Sequence, residues 1–255
     1  MKDSLFVMLV VLGCLCLAAY LGMRLRRMLP EKHFKGESGD AIKLATGLMA
    51  TLVALVLSLL ISSANNVRTT IEAEYTHSLA SVDLLDRYLA DYGPETGDIR
   101  QIVRRTAIGR FREIWPEEQF DPAATGESRG GKNIDAAEQR LLQLAPAGEA
   151  QTWYRSQALQ ALANLAQDRW LALNQTAGSM LPMPMLVVLI AWAAIIFVSF
   201  GLFAEHNPTV YATLFLCALA TAVAVFLILE LNTPFVGLIK ISSGPAHALL
   251  EQLGH

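Results

Sequence analysis

The chain has 255 residues, 53% of them apolar and 17% charged, with a formal net charge of −3 and a mean hydropathy of +0.39. A soluble domain carries about a quarter charged residues; here the apolar residues gather into four blocks, each long enough to cross a bilayer, with one polar segment of ordinary composition between the second and third. This excludes a soluble cytosolic enzyme, a disulfide-stapled secreted domain and a disordered regulator, and without a long basic tract it argues against nucleic acid as a partner.

The first block, Ser4–Met23, is twenty residues without a charge. At about 1.5 Å per residue a helix of this length covers the roughly 30 Å hydrocarbon core. Val11-Leu12-Gly13-Cys14 has a faint likeness to a lipoprotein cleavage site, but apolar and small residues continue past Cys14 to Arg24. The block therefore reads as an uncleaved span. The second block is uncharged from Leu44 to Val67, the third is Met183–Ala204, and the fourth is Pro208–Leu229, closed by Glu230. Only Glu205-His206-Asn207-Pro208 joins the last two, which predicts an antiparallel helical hairpin, because backbone in lipid must satisfy its own hydrogen bonds. The expected organisation is residues 1–64, the first two spans and a short basic loop; 65–181, a helical extramembrane domain; 182–231, the membrane hairpin; and 232–255, a tail with a short amphipathic helix. The loop Arg24–Ile42 holds Arg24, Arg26, Arg27, Lys32 and Lys35. The positive-inside rule puts this loop in the cytoplasm and the 65–181 segment outside.

From Leu48 to Tyr92 there is neither Gly nor Pro, so the second span is expected to run on as a stalk that stops at Gly93-Pro94. Tyr75, Leu79, Val82, Leu85 and Leu89 form one apolar stripe along it. A helix follows over Asp98–Trp115 with Ile99, Ile102, Val103 and Phe111 inward. Pro116–Asn133 reads as a loop, Ile134–Leu144 as a short helix, and Gly148–Ala177 as a long one whose Trp153, Leu159, Leu162, Leu165 and Leu173 pack back on the stalk. The fold class is all-α, with no sign of strands.

No motif for catalysis, phosphate cradling or metal binding is present. The five histidines are scattered, and Cys14, Cys16 and Cys217 lie inside apolar blocks where they read as packing. No cofactor is expected. No ionisable residue lies near the centre of a span, and Glu230 reads as an interfacial residue at a span end. Arg100, Arg104, Arg105, Arg110 and Arg112 fall within thirteen residues. Two readings compete: contacts to anions or lipid phosphates, carried by Arg100, Arg104 and Arg105, or ion pairing with Asp83, Asp86, Asp91 and Glu95, worth under roughly 1 kcal/mol per exposed pair.

The second span is the most informative. With about 100° per residue, Gly47, Thr51, Ser58, Ser62 and Asn65 fall near one line, with Ala54 at its edge, while Val53, Val56 and Leu60 lie opposite. This small, polar stripe fits close packing against another helix. It also fits the wall of a water-filled pore, which one protomer has too few helices to enclose, so that reading requires an oligomer.

Several segments carry a resemblance. Leu44-Ala45-Thr46-Gly47-Leu48, Ala54-Leu55-Val56-Leu57, Leu85-Asp86-Arg87, Tyr92-Gly93-Pro94-Glu95 and Ile114-Trp115-Pro116 resemble the bacterial bestrophin-like membrane family, in order and over nearly the whole chain. Leu229-Glu230-Leu231-Asn232-Thr233-Pro234-Phe235-Val236-Gly237 is similar to the Asn-Pro-Phe-Gly segment after the last span of bestrophins, matched at Asn232, Pro234, Phe235 and Gly237. The resemblance implies a pentameric homo-oligomer in the bacterial inner membrane. It implies a passive channel for inorganic ions, with preference for anions as the finer expectation, and a pore lined by the second span. It also implies a cytoplasmic helical domain, against the loop charges. Leu238-Ile239-Lys240-Ile241-Ser242-Ser243 stands where animal members carry calcium-holding acids, so no calcium site is implied, and Leu44–Val67 has no Phe for a phenylalanine neck. The rival expectation is a non-conducting scaffold or sensor whose helical domain binds a partner.

Overall fold

The computed structural model describes residues 2–28, 37–115, 130–178, 183–204 and 207–253. Among these the chain is all-α, with no strand: α1 (Lys2–Met28), α2 (Glu37–Tyr92), a 3-10 turn (Pro94–Thr96), α3 (Gly97–Ile114), α4 (Gly130–Gln143), α5 (Glu149–Gly178), α6 (Met183–Phe203), α7 (Pro208–Leu231) and α8 (Gly244–Gln252). Four helices, α1, α2, α6 and α7, are long and apolar enough to cross a membrane. The chain divides into two compact units, residues 1–68 with 179–239, and 69–178 with 240–255.

In the first unit α1 packs against α6 and α7. Val11, Leu15, Ala18 and Ala19 meet Leu186, Ala193 and Phe197 of α6 and Ala218, Ala222 and Val225 of α7. The small residues matter because lipid supplies no hydrophobic drive between helices; close backbone approach supplies the contact instead. At the α1–α6 crossing two glycines make this approach reciprocal. A Cβ on Gly22 would collide with the Val198 carbonyl, and one on Gly201 with the Ala19 carbonyl. The Arg26 guanidinium donates to the Ala204 carbonyl just past the end of α6. Asn207 caps α7, its side chain accepting from the Thr209 N–H at 3.2 Å, with Pro208 at the first helical position. The residues before it, Glu205 and His206 of the predicted turn, lie outside the described residues.

In the second unit the stalk stripe is inside. Leu85 and Leu89 are fully buried with Ile99 and Val103 of α3, Ala137 and Leu141 of α4, and Ala158, Ala161 and Leu162 of α5. The stalk ends where expected. Gly93 has φ +139, a left-handed backbone that suits glycine. The buried Thr96 hydroxyl donates to the Gly93 carbonyl at 2.8 Å, and Gln151 of α5 donates to the Tyr92 carbonyl at 2.9 Å. Two expectations shift. α4 starts at Gly130, earlier than the predicted Ile134; first-turn N–H groups need no helical partner, so glycine is tolerated there. Trp153 remains half exposed, touching the stalk edge-on through Tyr88 at 5.8 Å between centroids. The remainder of the predicted loop, 116–129, and the Leu173 side chain fall outside the described residues.

Gly201→Leu is expected to cost about 1–3 kcal/mol, because the new side chain meets backbone that cannot move aside. Gly13→Ala, at a glycine with nothing within 4 Å of a Cβ, is expected to be neutral or to gain up to about 1 kcal/mol from helix propensity. Thermal unfolding in detergent measures both: Gly201→Leu should lower Tm, and Gly13→Ala should leave it unchanged or raise it.

Candidate functional site

Packing divides the membrane part of α2 into faces. Val53 and Leu60 are buried, 9% and 3% exposed, against Leu189 and Ile196 of α6 and Ile228 of α7, with Met49, Val56 and Leu57 beside them. Gly47, Thr51, Ala54, Ser58, Ser62 and Asn65 are all exposed on the protomer. The stripe is therefore not consumed by packing within one chain. Thr51 satisfies its hydroxyl locally, donating to the Leu48 carbonyl at 2.7 Å.

A third face escaped the sequence reading. Leu44, Leu48, Leu52, Leu55 and Leu59 are all half or more exposed. They form a ridge roughly 20–100° round the helix from Thr51. A signal was available: leucines alternating at four- and three-residue steps mark a helix face. From Ala41 to Ile71 the only charged residues of α2 are Lys43 and Arg68. Lys43 lies 3.5 Å from Asp40 and over the Phe203 ring. The Arg68 Nε is buried with no hydrogen-bond partner among the described residues.

At the far end of α7, Glu230, read as an interfacial residue at a span end, is enclosed by the protein itself. This residue is 1% exposed. Its Oε2 accepts from the Leu238 N–H at 2.8 Å, and its Oε1 has no hydrogen-bond partner among the described residues. The motif around it builds the enclosure. Asn232 ends α7 by donating its side-chain amide to the Ile228 carbonyl at 2.7 Å. Thr233 returns its N–H and hydroxyl to the Glu230 carbonyl, both at 3.1 Å. Pro234 and Phe235 form the half-buried outer bend. Gly237 takes φ +118, and a Cβ there would strike the Glu230 carboxylate. Sequence alone marked Asn232, Pro234, Phe235 and Gly237 but missed that Glu230 is their shared post.

The arginine cluster of α3 does not act as one site. Arg100 turns inward and grips Asp86 of α2 through two hydrogen bonds of 2.8 and 2.7 Å. That bond raises the Arg100 guanidinium above its usual range. Asp83 pairs along its own helix with Arg87 at 3.3 Å, and Arg110 with Glu113 at 3.2 Å. Arg104 and Arg105 are exposed on α3. Among the described residues no group of three or more His, Cys, Asp or Glu converges to hold a metal ion.

Four apolar helices with a helical unit inserted after the second define a multi-span, all-α membrane protein. The Bestrophin-like domain matches residues 13–246, and the chain belongs to the bestrophin-like family. The fold is similar to a crystal structure of a bacterial bestrophin homologue from Klebsiella pneumoniae carrying an isoleucine-to-threonine mutation, with TM-score 0.67 at 13% identity over 96% of this chain and 97% of that one. A leucine-to-threonine variant of a bestrophin homologue from the same organism gives TM-score 0.66 at 13% identity, covering 96% of both chains. A membrane protein with a proline-to-alanine mutation gives 0.67 at 13% identity, over 96% and 95%. At this identity the likeness is one of fold. No curated protein matches the sequence at a significant level.

Gly237→Ala is expected to cost about 1–3 kcal/mol, the range for a non-glycine residue forced into sparse backbone territory, since its methyl also displaces the Glu230 carboxylate. Gly97→Ala, with open space around the Cβ position, serves as the matched control in the same thermal unfolding measurement.

Proposed function

We propose that the chain is one subunit of an oligomeric ion channel of the bacterial inner membrane, with α2 lining the pore. The observation that carries this is the burial pattern of α2. Its bulky face is spent inside the protomer, while Gly47, Thr51, Ala54, Ser58, Ser62 and Asn65 remain bare. Hydroxyl and amide groups suit a wet lumen, and the adjacent leucine ridge suits the next copy of the same helix. Membership of the bestrophin-like family supports the channel reading, and the family resemblance supplies a pentamer as the assembly. Transport is passive, since no ionisable residue interrupts the centre of a span.

Anion preference follows from charge placement. Over Ala41–Ile71 the two charged residues are both cations. A ring of copies repeats Arg68 at one level of the helix, and the summed field favours anions near it. Fixed hydroxyls without a carboxylate ring make selectivity weak. The basic loop charges support an external position for the 65–181 segment.

Planar-bilayer recording of purified protein tests the pore. Ser58→Trp is expected to abolish the current, whereas Leu216→Trp, at an exposed apolar position of α7, leaves it intact. A current indifferent to Ser58→Trp removes α2 as the pore wall. Reversal potentials in asymmetric salt test the second point. Each Arg68 charge about 8 Å from an ion in water is worth about 0.5 kcal/mol, or roughly twofold. Arg68→Gln should therefore lower the anion-to-cation permeability ratio by at least roughly that factor.

A further inference from the structure

The turn that Glu230 holds carries two large apolar side chains outward. Val236 is 57% exposed and Leu238 69%. Between and beside them the backbone is tied down: Val236 N–H donates to the Thr233 carbonyl at 3.2 Å, and Leu238 N–H to the Glu230 carboxylate at 2.8 Å. A carboxylate reaches no further than about one helical turn, about 5.4 Å, from its own backbone. The chain has therefore folded back, and Leu238 sits at the level of the last turn of α7. That turn is the end of a membrane-spanning helix, whose own outward side chains include Phe215, Leu216, Val223 and Leu227. The exposed pair thus continues the bare apolar side of a helix long and apolar enough to cross a membrane, at one end of that helix. Water is the wrong neighbour for two such side chains on a rigid turn, and a lipid interface is the right one.

We infer that Val236 and Leu238 form a lipid anchor, inserted into the boundary between headgroups and acyl chains, and that buried Glu230 is the post that fixes its depth. Gly237 makes this possible, because its positive φ reverses the chain between the two anchors without a side chain to crowd the carboxylate. The anchor explains why an acidic side chain is enclosed at the end of a span: it serves the backbone of the turn rather than an ion path. The inference rests on the membrane-spanning character of α7 and is independent of whether α2 lines a pore.

Site-directed spin labelling of the full chain in phosphatidylcholine vesicles tests it. Cys14, Cys16 and Cys217 are replaced by alanine, and a nitroxide is attached at Leu238→Cys or, separately, Val236→Cys. Leu216→Cys on α7 is the lipid reference, and Ser156→Cys, exposed on α5, the aqueous one. The expected result is that both anchor labels collide more with dissolved oxygen than with a soluble nickel chelate, as at Leu216. Adding Glu230→Gln should shift the Leu238 label toward nickel. Labels more accessible to nickel, as at Ser156, overturn the anchor. So do labels reached by neither reagent, which would mean that another protein surface, such as a second copy, covers the turn. An unchanged profile in Glu230→Gln overturns the role of the post. If one labelled variant fails to fold, the other still decides between lipid, water and protein.

Discussion

Every backbone N–H and C=O inside a bilayer must find its partner within the protein. For α2 this constraint makes one unbroken helix of 56 residues and leaves side chains alone to decide what each side of it meets. Val53 and Leu60 settle one side by packing on α6 and α7. The opposite side then has to present whatever the sequence puts there, because a helix cannot hide two faces with its neighbours, α6 and α7, gathered on one. Small hydroxyl residues and a row of leucines stand on that bare side. The functional reading grows from this asymmetry.

The remainder of the first unit keeps that asymmetry rigid. α1 contributes no polar face to a pore; its work is to clamp α6 and α7. The reciprocal glycine crossing at Gly22 and Gly201 brings two backbones together where the usual side-chain layer would hold them apart. Both ends of α7 are tied as well, by Asn207 at its start and by Glu230, Asn232 and Thr233 at its finish. α2, which leans on Leu189, Ile196 and Ile228, inherits that fixity.

Much of this was legible in the sequence. Uncharged stretches of twenty residues mark spans whatever their neighbours, and the gap in Gly and Pro from Leu48 to Tyr92 foretold the stalk. The faces of α2 were only half legible. Periodicity separated Ser58 from Leu60, but in an apolar block one leucine looks like another, so Leu44, Leu48, Leu52, Leu55 and Leu59 stayed unassigned until burial showed them bare. The enclosure of Glu230 was hidden for a related reason. A carboxylate at a span end belongs in water by local chemistry, and only the return of the chain at Gly237, seven residues later, encloses it. The Arg100–Asp86 grip was visible as one pairing among many, since charges fourteen residues apart can be matched only once the hairpin angle is known.

The bare face of α2 allows a finer argument between a sealed helix interface and an open lumen. Small residues alone favour sealing, because they let two helices meet closely. The leucine ridge beside them works the other way. In the oligomer proposed above, five large side chains next to the stripe would hold a neighbouring copy to one side of it, so that each copy's ridge would meet its neighbour and each stripe turn toward a common centre. Charge adds to this. In such an assembly symmetric copies would bring Arg68 to the same level, and like charges in a dry, tight contact repel strongly, whereas across water they are screened. Asn65, one turn earlier, is equally ill served by acyl chains, for its amide has two donors and an acceptor to satisfy. A ring wide enough to admit water would relieve both, and Asn65 stands on the same flank where Ser58 and Ser62 already offer hydroxyls.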